Sequence, residues 1–184
     1  MLNRQKQQGV ALITGLIFMV VLTLLAVAAM RTTGLEEKMA GNALNQDVAF
    51  QATEAAVRQG RSRVQNGLIT TTSGFPSYGA SCTSAGLCLP SATAVANWTT
   101  VFPFGQKTQS ATAVTYSGTA LVGVANQPQY IIELLPDVSV GPGYSLGTGK
   151  APGGGTATPF RITARGWGMG AEAQATTQAT FLDY

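Results

Sequence analysis

The 184-residue sequence contains no histidine, and only 10% of its residues are charged. Without histidine the chain lacks the commonest general base and the usual nitrogen ligand of zinc. Its glycine-rich segment 136–159 lacks the Lys-Ser/Thr ending of a P-loop. Asp137 and nearby carbonyls are ligands that calcium takes, but acids are too sparse to predict a site. We therefore expect no enzyme, no metal and no other cofactor.

Basic residues are also too few and too scattered for nucleic-acid binding. The formal charge of +3 includes Arg4 and Lys6, so a chain beginning at Val10 carries nine basic and eight acidic side chains. After Arg63 the basic residues are Lys107, Lys150, Arg161 and Arg165. A DNA-binding surface needs a cluster of such side chains. The sequence thus predicts no nucleic-acid partner.

Only two cysteines are present, Cys82 and Cys88, and a small polar loop separates them. A disulfide is expected if this part of the chain leaves the cytoplasm. Two free thiols, or half of a metal site, are the alternatives, although no further cysteine or histidine could complete a metal site.

The run from Val10 to Met30 contains no charged residue, and its 21 residues exceed the ~20 that cross a hydrocarbon core as a helix. Three kinds of processing fit this run: cleavage after Gly9, ordinary signal cleavage after the small-x-small pattern at 26–28, and no cleavage. In all three, Arg4 and Lys6 hold the amino terminus in the cytoplasm while the rest crosses the inner membrane.

Proline is absent before Pro76, so the apolar helix can continue into the polar segment that follows. From Leu35 to Val64 alanines are frequent, and the apolar residues Ala43, Phe50, Val57 and Val64 recur every seven positions. This pattern predicts an amphipathic helix that ends at Asn66-Gly67. An i,i+4 ion pair between Glu54 and Arg58 is expected on its polar side.

Beyond that helix, β-branched and alternating runs predict strands. These runs are Ala111–Ser117, Thr119–Val124, Gln129–Leu135, Phe160–Trp167 and Ala171–Leu182, with hairpin turns at Ser117-Gly118 and at 166–170 and a mobile loop over Pro136–Pro159. We expect an α+β fold in which an antiparallel C-terminal sheet packs on the amphipathic helix and buries Phe50, Val57 and Val64. Trp98, Phe102, Phe104 and Trp167 are expected in the core more than in an exposed recognition patch.

The chain resembles the type IV pilins, and more closely the minor pilins of the PilX type. The resemblance rests on Gln7-Gln8-Gly9-Val10-Ala11-Leu12-Ile13, on Met30-Arg31-Thr32-Thr33, on Glu36-Glu37-Lys38-Met39-Ala40-Gly41-Asn42, and on Ala49-Phe50-Gln51-Ala52 with Glu54-Ala55-Ala56. Two later stretches look like the central and late strands of that family, namely Tyr130-Ile131-Ile132-Glu133 and Phe160-Arg161-Ile162-Thr163-Ala164-Arg165-Gly166. Residues 68–128 carry no such resemblance.

The resemblance implies that a prepilin peptidase cleaves after Gly9 and methylates the amine of Val10. It divides the chain into a leader (1–9), a membrane and filament-core helix (10–30), an amphipathic helix (31–66) and a periplasmic head (67–184). It further implies partners among the other minor pilins, the major pilin, a large adhesin-like tip protein and the inner-membrane assembly platform. Before assembly the protein is expected in the inner membrane, and afterwards at the pilus tip, where it supports twitching motility and adhesion.

One position departs from the pilin pattern. Most pilins carry a glutamate at the fifth residue of the mature chain, where Thr14 stands here. Threonine can bond to the carbonyl of residue 10 and attracts no charged partner. A subunit without this charge suits the first place in a filament, which predicts a tip subunit that primes assembly; a threonine merely tolerated in a distributed rare subunit is the alternative. Two other classes stay open: a tip-located adhesin or DNA-binding module, and an ordinary secreted β-rich protein.

Overall fold

The structure, a computed structural model, describes residues 10–69, 74–76, 82–91, 95–140 and 155–183. Over these ranges the elements are α1 (Val10–Gln65), β1 (Leu87–Cys88), α2 (Asn97–Val101), β2 (Val114–Thr115), β3 (Gln129–Leu134), β4 (Val138–Val140), β5 (Gly155–Trp167) and β6 (Gln174–Asp183). The chain divides into two compact units, one up to Ala43 and the other from Leu44 onward. The second unit holds the last part of α1 and all of the sheet, which confirms the predicted α+β class.

Helix α1 is 56 residues long and unbroken, as the absence of proline predicts. It ends where the sequence indicates. The Gly67 N–H donates to the Val64 carbonyl, the Leu68 N–H donates to the Arg63 carbonyl, and both distances are 3.0 Å. Gly67 has a φ of 68°, a left-handed conformation that glycine adopts without steric cost. These features form a Schellman cap that satisfies the last carbonyls of the helix.

Strand β5 is the centre of the sheet. It pairs with β3 and β4 and, along ten residues, with β6. The far edge of β3 pairs with the two short strands β1 and β2. Because β1 runs parallel to β3, the predicted antiparallel sheet is in fact mixed. The physical reason is that the loop after Cys82 returns alongside β3, where the Gly86 carbonyl accepts the Ile132 N–H at 2.8 Å.

The sheet is covered on both faces. On one side, alternate strand residues such as Tyr130, Ile132 and Ile162 pack against Val57 and Val64 of α1 in a buried cluster. On the other side, Ile131 packs with Cys88, Ala113 and the α2 residues, which form a second cluster. Consequently β3 is buried from Gln129 to Glu133 without alternation.

Several strand predictions are wrong in extent. The first expected strand shortens to β2, and the region 119–124 forms turns instead of a strand, so no hairpin lies at Ser117-Gly118. A side chain closes this loop: the Gln127 amide accepts from the Leu121 N–H and donates to the Leu121 carbonyl, at 3.0 and 2.9 Å. The β-branched residues of this loop therefore pair with no described strand.

The three later strands are better predicted. β3 lies within the expected 129–135 range, β5 begins earlier than expected, and β6 begins three residues later. The connection between β5 and β6 is a hairpin whose turn lies after Trp167, with the Gly168 N–H donating to the Ala173 carbonyl at 2.9 Å. The expected loop over Pro136–Pro159 contains β4 and the start of β5, and its residues 141–154 lie outside the described part.

Candidate functional site

The apolar part of α1 is fully exposed within the chain. Its large side chains from Val10 to Met30 are between 46% and 78% exposed. The mean hydropathy reaches 2.8 over an 18-residue window, of which none is buried. By length and composition this helix can cross a membrane. It is therefore the candidate membrane anchor.

The predicted processing site consists of Gly9 and Val10. Gly9 lies outside the described residues, so the predicted cleavage stays a prediction. Val10 is the first residue of α1.

Thr14 makes the hydrogen bond expected of it. Its Oγ1 lies 2.9 Å from the Val10 carbonyl oxygen and 3.1 Å from that of Ala11. The hydroxyl is thus satisfied inside its own helix, which lets a polar side chain sit in an apolar environment at little cost. Thr23, Thr32 and Thr33 bond to their own helix in the same way.

The glycines of the first unit are not demanded by packing inside the chain. A Cβ atom added to Gly15, Gly34 or Gly41 would meet no atom within 4 Å. The helix is continuous through 31–42, the segment in which the glycines and the threonine pair suggest bending or melting. That conformational change stays a prediction.

In the head, α1 lies directly on the β5–β6 hairpin because small residues meet there. A Cβ atom on Gly166 would lie 2.5 Å from the Ala49 carbonyl oxygen, so only glycine fits. Thr53 secures the contact, since its Oγ1 bonds to the Ala49 carbonyl at 2.8 Å and to the Ala175 carbonyl at 3.1 Å. The buried face of the helix consists of Ala49, Ala52, Thr53, Ala56, Val57, Gly60 and Val64.

This close contact corrects one sequence prediction. Phe50 was expected in the core with Val57 and Val64, but it is 48% exposed. Helix and sheet approach too closely there for an aromatic ring, so alanine and threonine face the sheet instead. Phe50 lines an open groove of about 630 Å³ whose other wall includes Leu121, Val122 and Val124. The expected Glu54–Arg58 ion pair is absent from the described side chains; the Arg58 Nε donates to the Glu54 carbonyl at 3.3 Å.

The two cysteines form the predicted disulfide, with an S–S distance of 2.02 Å and the Cα atoms 4.3 Å apart. Cys88 is fully buried and lies in β1, paired with Glu133 of β3. The disulfide therefore fixes β1 against the middle of the sheet.

Beside this disulfide lies a buried acid that the sequence patterns did not single out. Glu133 is 0% exposed and accepts from the Arg161 Nε at 2.7 Å. Its second oxygen accepts from the Asn97 Nδ2 at 3.0 Å, and the same amide donates to the Leu89 carbonyl at 2.6 Å. These bonds connect β3, β5, α2 and the segment after β1. The available signal was a glutamate that directly follows the apolar residues Ile131 and Ile132 in a predicted strand.

Arg165 lies on the same face of the sheet as Arg161, four residues further along β5. It is 5% exposed, and its guanidinium donates to the Phe102 and Pro103 carbonyls at 2.6 and 2.9 Å. Burial lowers the pKa of Arg165 from its ordinary value, because the charged form loses hydration. From the sequence, Arg161 and Arg165 were counted only among the scattered basic residues after Arg63. Both are structural, and the spacing of four on one strand, which places them on one face, was the missed signal.

The aromatic residues are divided between core and surface. Phe102 and Trp167 are buried, as expected, while Phe104 is fully exposed and Trp98 is partly buried. Asp137, the candidate calcium ligand, accepts from the Thr158 hydroxyl at 2.8 Å. Within the described ranges no three acids or cysteines come together in a group that could hold a metal.

Two family models match the sequence. The model of the PilX N-terminal region covers residues 8–58, and that of the type IV pilus assembly protein PilX C-terminal region covers residues 81–183. The chain belongs to the PilX family of type IV pilus assembly proteins. No curated protein and no solved structure matches it. The second match begins before Cys82 and runs through β6, so it covers both cysteines and all strands of the sheet, a stretch in which the sequence resemblance was limited to β3 and β5.

Membership of the PilX family gives the protein its general role. It is a component that acts in type IV pilus assembly, and the apolar half of α1 is its candidate membrane anchor. The predicted residues lie in separate parts of the chain: Val10 and Thr14 in the first unit, Cys82 and Cys88 in the second.

Proposed function

We propose that this PilX protein is a minor pilin that helps to initiate pilus assembly as part of a priming complex at the tip. In this role it is cut after Gly9 by a prepilin peptidase, methylated at Val10, and held in the inner membrane with its head in the periplasm. Its partners are the other minor pilins, the major pilin, a large adhesin-like tip protein and the assembly platform. Through the pilus it supports twitching motility and adhesion.

The proposal is supported by the hydrogen bonding of Thr14 and by its lack of charge. Its hydroxyl bonds at 2.9 Å to the carbonyl of Val10, in its own helix, and leaves no charge for a neighbour. In a filament of apolar helices a carboxylate at this position would be costly unless a neighbouring amine paired with it, by ~2.5 kcal/mol or more. A subunit free of this requirement can be placed without a neighbour on one side, which is the position of the first subunit.

Two measurements test the proposal. The intact mass of the protein from membranes should correspond to a chain that begins at N-methyl-Val10; a chain that begins at Ala29 would reveal ordinary secretion. Thr14→Glu should lower the number of pili per cell several-fold, whereas Thr14→Ser, which keeps a hydroxyl, should leave it unchanged. Unchanged piliation in Thr14→Glu would remove the missing charge as the mechanism.

The DNA-binding alternative gains no support from the described head. Lys107 is paired with Glu172, Arg161 is paired with Glu133, and the guanidinium of Arg165 is buried against carbonyls. These cations therefore have little charge to offer phosphates. A gel shift of the full chain at two salt concentrations checks this, with tight and salt-sensitive binding as the contrary result.

A further inference from the structure

Strand β6 forms one outer edge of the sheet. It pairs with β5 over its whole length, Gln174–Asp183, and with no other described strand. An unpaired edge exposes a row of backbone N–H and C=O groups, which proteins usually protect with charges, prolines or bulges. From Gln174 to Leu182 the strand contains no charge and no proline, and its register with β5 is continuous.

The hydrogen-bonding phase shows which residues face outward. The Leu135 N–H donates to the Pro159 carbonyl, so the odd residues of β5 form their backbone hydrogen bonds with β3. The Gly168 N–H donates to the Ala173 carbonyl, so the even residues of β5 bond to odd residues of β6. Antiparallel pairs alternate strictly between bonding across and bonding away. The even residues of β6 therefore direct their N–H and C=O groups to the open edge. They are Thr176, Gln178, Thr180 and Leu182, and all four side chains are exposed.

Helix α1 defines what lies beside this edge. The Gln46 amide donates to the Gln174 carbonyl at 3.0 Å, and Thr53 bonds to the Ala175 carbonyl. Both bonds place the α1 segment from Gln46 to Thr53 close to the start of β6. Further along, the Arg61 guanidinium lies 5.9 Å from the Phe181 ring and forms no ion pair with the described side chains.

We propose that the free edge of β6 binds an extended segment of a different subunit of the pilus tip. Only an extended backbone can satisfy a row of alternating donors and acceptors. On the α1 side of the sheet this segment carries an acidic side chain that pairs with Arg61. The choice of partner rests on the proposed function; the strand addition rests on the edge itself.

A second copy of the chain is the less suitable occupant. Two β6 strands paired about a two-fold axis perpendicular to the sheet would place the Leu44 ends of their helices at opposite ends of the joined sheet. When two chains are anchored in one membrane, both copies of α1 have to reach their heads from the same side. The edge therefore fits another protein better than it fits itself.

A proline variant separates backbone binding from side-chain binding. In cells that produce the full chain with the other minor pilins and the large tip protein, a photo-crosslinking residue at Thr180 is expected to link to one extended stretch of one of them. Gln178→Pro removes an outward N–H and should reduce that crosslink at least tenfold. Gln178→Ala keeps the N–H, loses the same bond from Gln178 Nε2 to Thr163, and should retain the crosslink. Equal crosslinking of the two variants, or a crosslink only to a second copy, overturns the proposal.

Amide exchange of the unmodified protein gives a second measure that does not depend on the folding of a variant. In the isolated full chain in detergent, the amides of Thr177, Ala179 and Phe181 should exchange slowly and those of Gln178 and Thr180 quickly. In the complex with the crosslinked tip subunit, the exchange of the Gln178 and Thr180 amides should slow at least tenfold. If even and odd amides exchange alike in both states, the edge is not a binding site. This pattern is independent of processing at Gly9 and of Thr14→Glu, so the priming role and the strand addition can fail separately.

Discussion

The first unit and the head use the same helix in opposite ways. Before Ala43, α1 carries large apolar side chains that are exposed, and its glycines lie in open space. After Leu44 it buries small residues against a sheet in which the buried Glu133 is paired with Arg161. The difference teaches that the head supplies its own packing partners, whereas the apolar helix depends on lipid or neighbouring subunits. Changes in the head should therefore alter folding, and changes in the first unit should alter assembly.

The largest effect on folding is expected from Arg161→Met. It leaves the fully buried Glu133 without its cation and should lower the free energy of unfolding by about 3–5 kcal/mol. Chemical denaturation of the detergent-solubilised full chain measures this. Lys107→Met breaks the exposed pair with Glu172 and serves as the control, with an expected loss below ~1 kcal/mol. If the two losses are equal, the head does not depend on its internal pairing.

The second largest loss of stability is expected from Gly166→Ala. The new methyl would lie 2.5 Å from the Ala49 carbonyl and 2.6 Å from the Thr53 backbone nitrogen, so backbone has to move, at a cost of about 3 kcal/mol. Gly60→Ala is the matched control. The three atoms nearest to its methyl would be side-chain atoms of Ile162 and Tyr130 at 3.1 Å, which can shift, and the gain in helix propensity opposes the cost of that crowding. A Gly166→Ala protein as stable as Gly60→Ala would disprove the close contact.

Removal of the disulfide ranks third. The double variant Cys82→Ala, Cys88→Ala removes a crosslink between residues with a sequence separation of six. Its free energy of unfolding should be lower by about 2 kcal/mol. Reduction of the unmodified protein by dithiothreitol should shift the denaturation midpoint by a similar amount. A midpoint that stays constant on reduction would mean that Glu133 and Asn97 hold β1 without help.

The smallest folding effect is expected from Gly34→Ala. Alanine fits there without contact and favours helix locally by up to ~1 kcal/mol, so the cooperative unfolding of the head should not change measurably. If the segment 31–42 has to bend or melt on entry into the pilus, the fraction of protein in sheared pili should fall. Destabilisation of the head by this change would break the distinction between the two units, and unchanged incorporation would argue against melting.

Local patterns predicted much of this fold. The unbroken helix α1 and its end at Gly67 followed from the absence of proline and from one glycine, which act within a few residues. The disulfide followed from the compartment and from the lack of other partners. The hydrogen bond of Thr14 was predicted correctly because its partner, the Val10 carbonyl, lies four residues away in the same helix.

Long-range geometry accounts for what the patterns missed. Seven-residue spacing selected Phe50 for the core, but the closeness of Gly166 to α1 admits only small side chains. The parallel pairing of β1 depends on the path of a loop, and the region 119–124 is held by Gln127 rather than by a partner strand. The network around Glu133 joins four separate segments, which no single stretch of sequence displays.

Strand β3 has a consequence for how the PilX family can diverge. It is covered on both faces and has neighbouring strands along both edges, and each residue from Gln129 to Glu133 is buried. Such a strand offers no side on which a substitution is neutral, whereas the loop at 117–127 lies largely at the surface. Among relatives, sequence drift should therefore be slowest at Tyr130-Ile131-Ile132-Glu133, and this short stretch should identify distant members after the surface loops have lost all similarity.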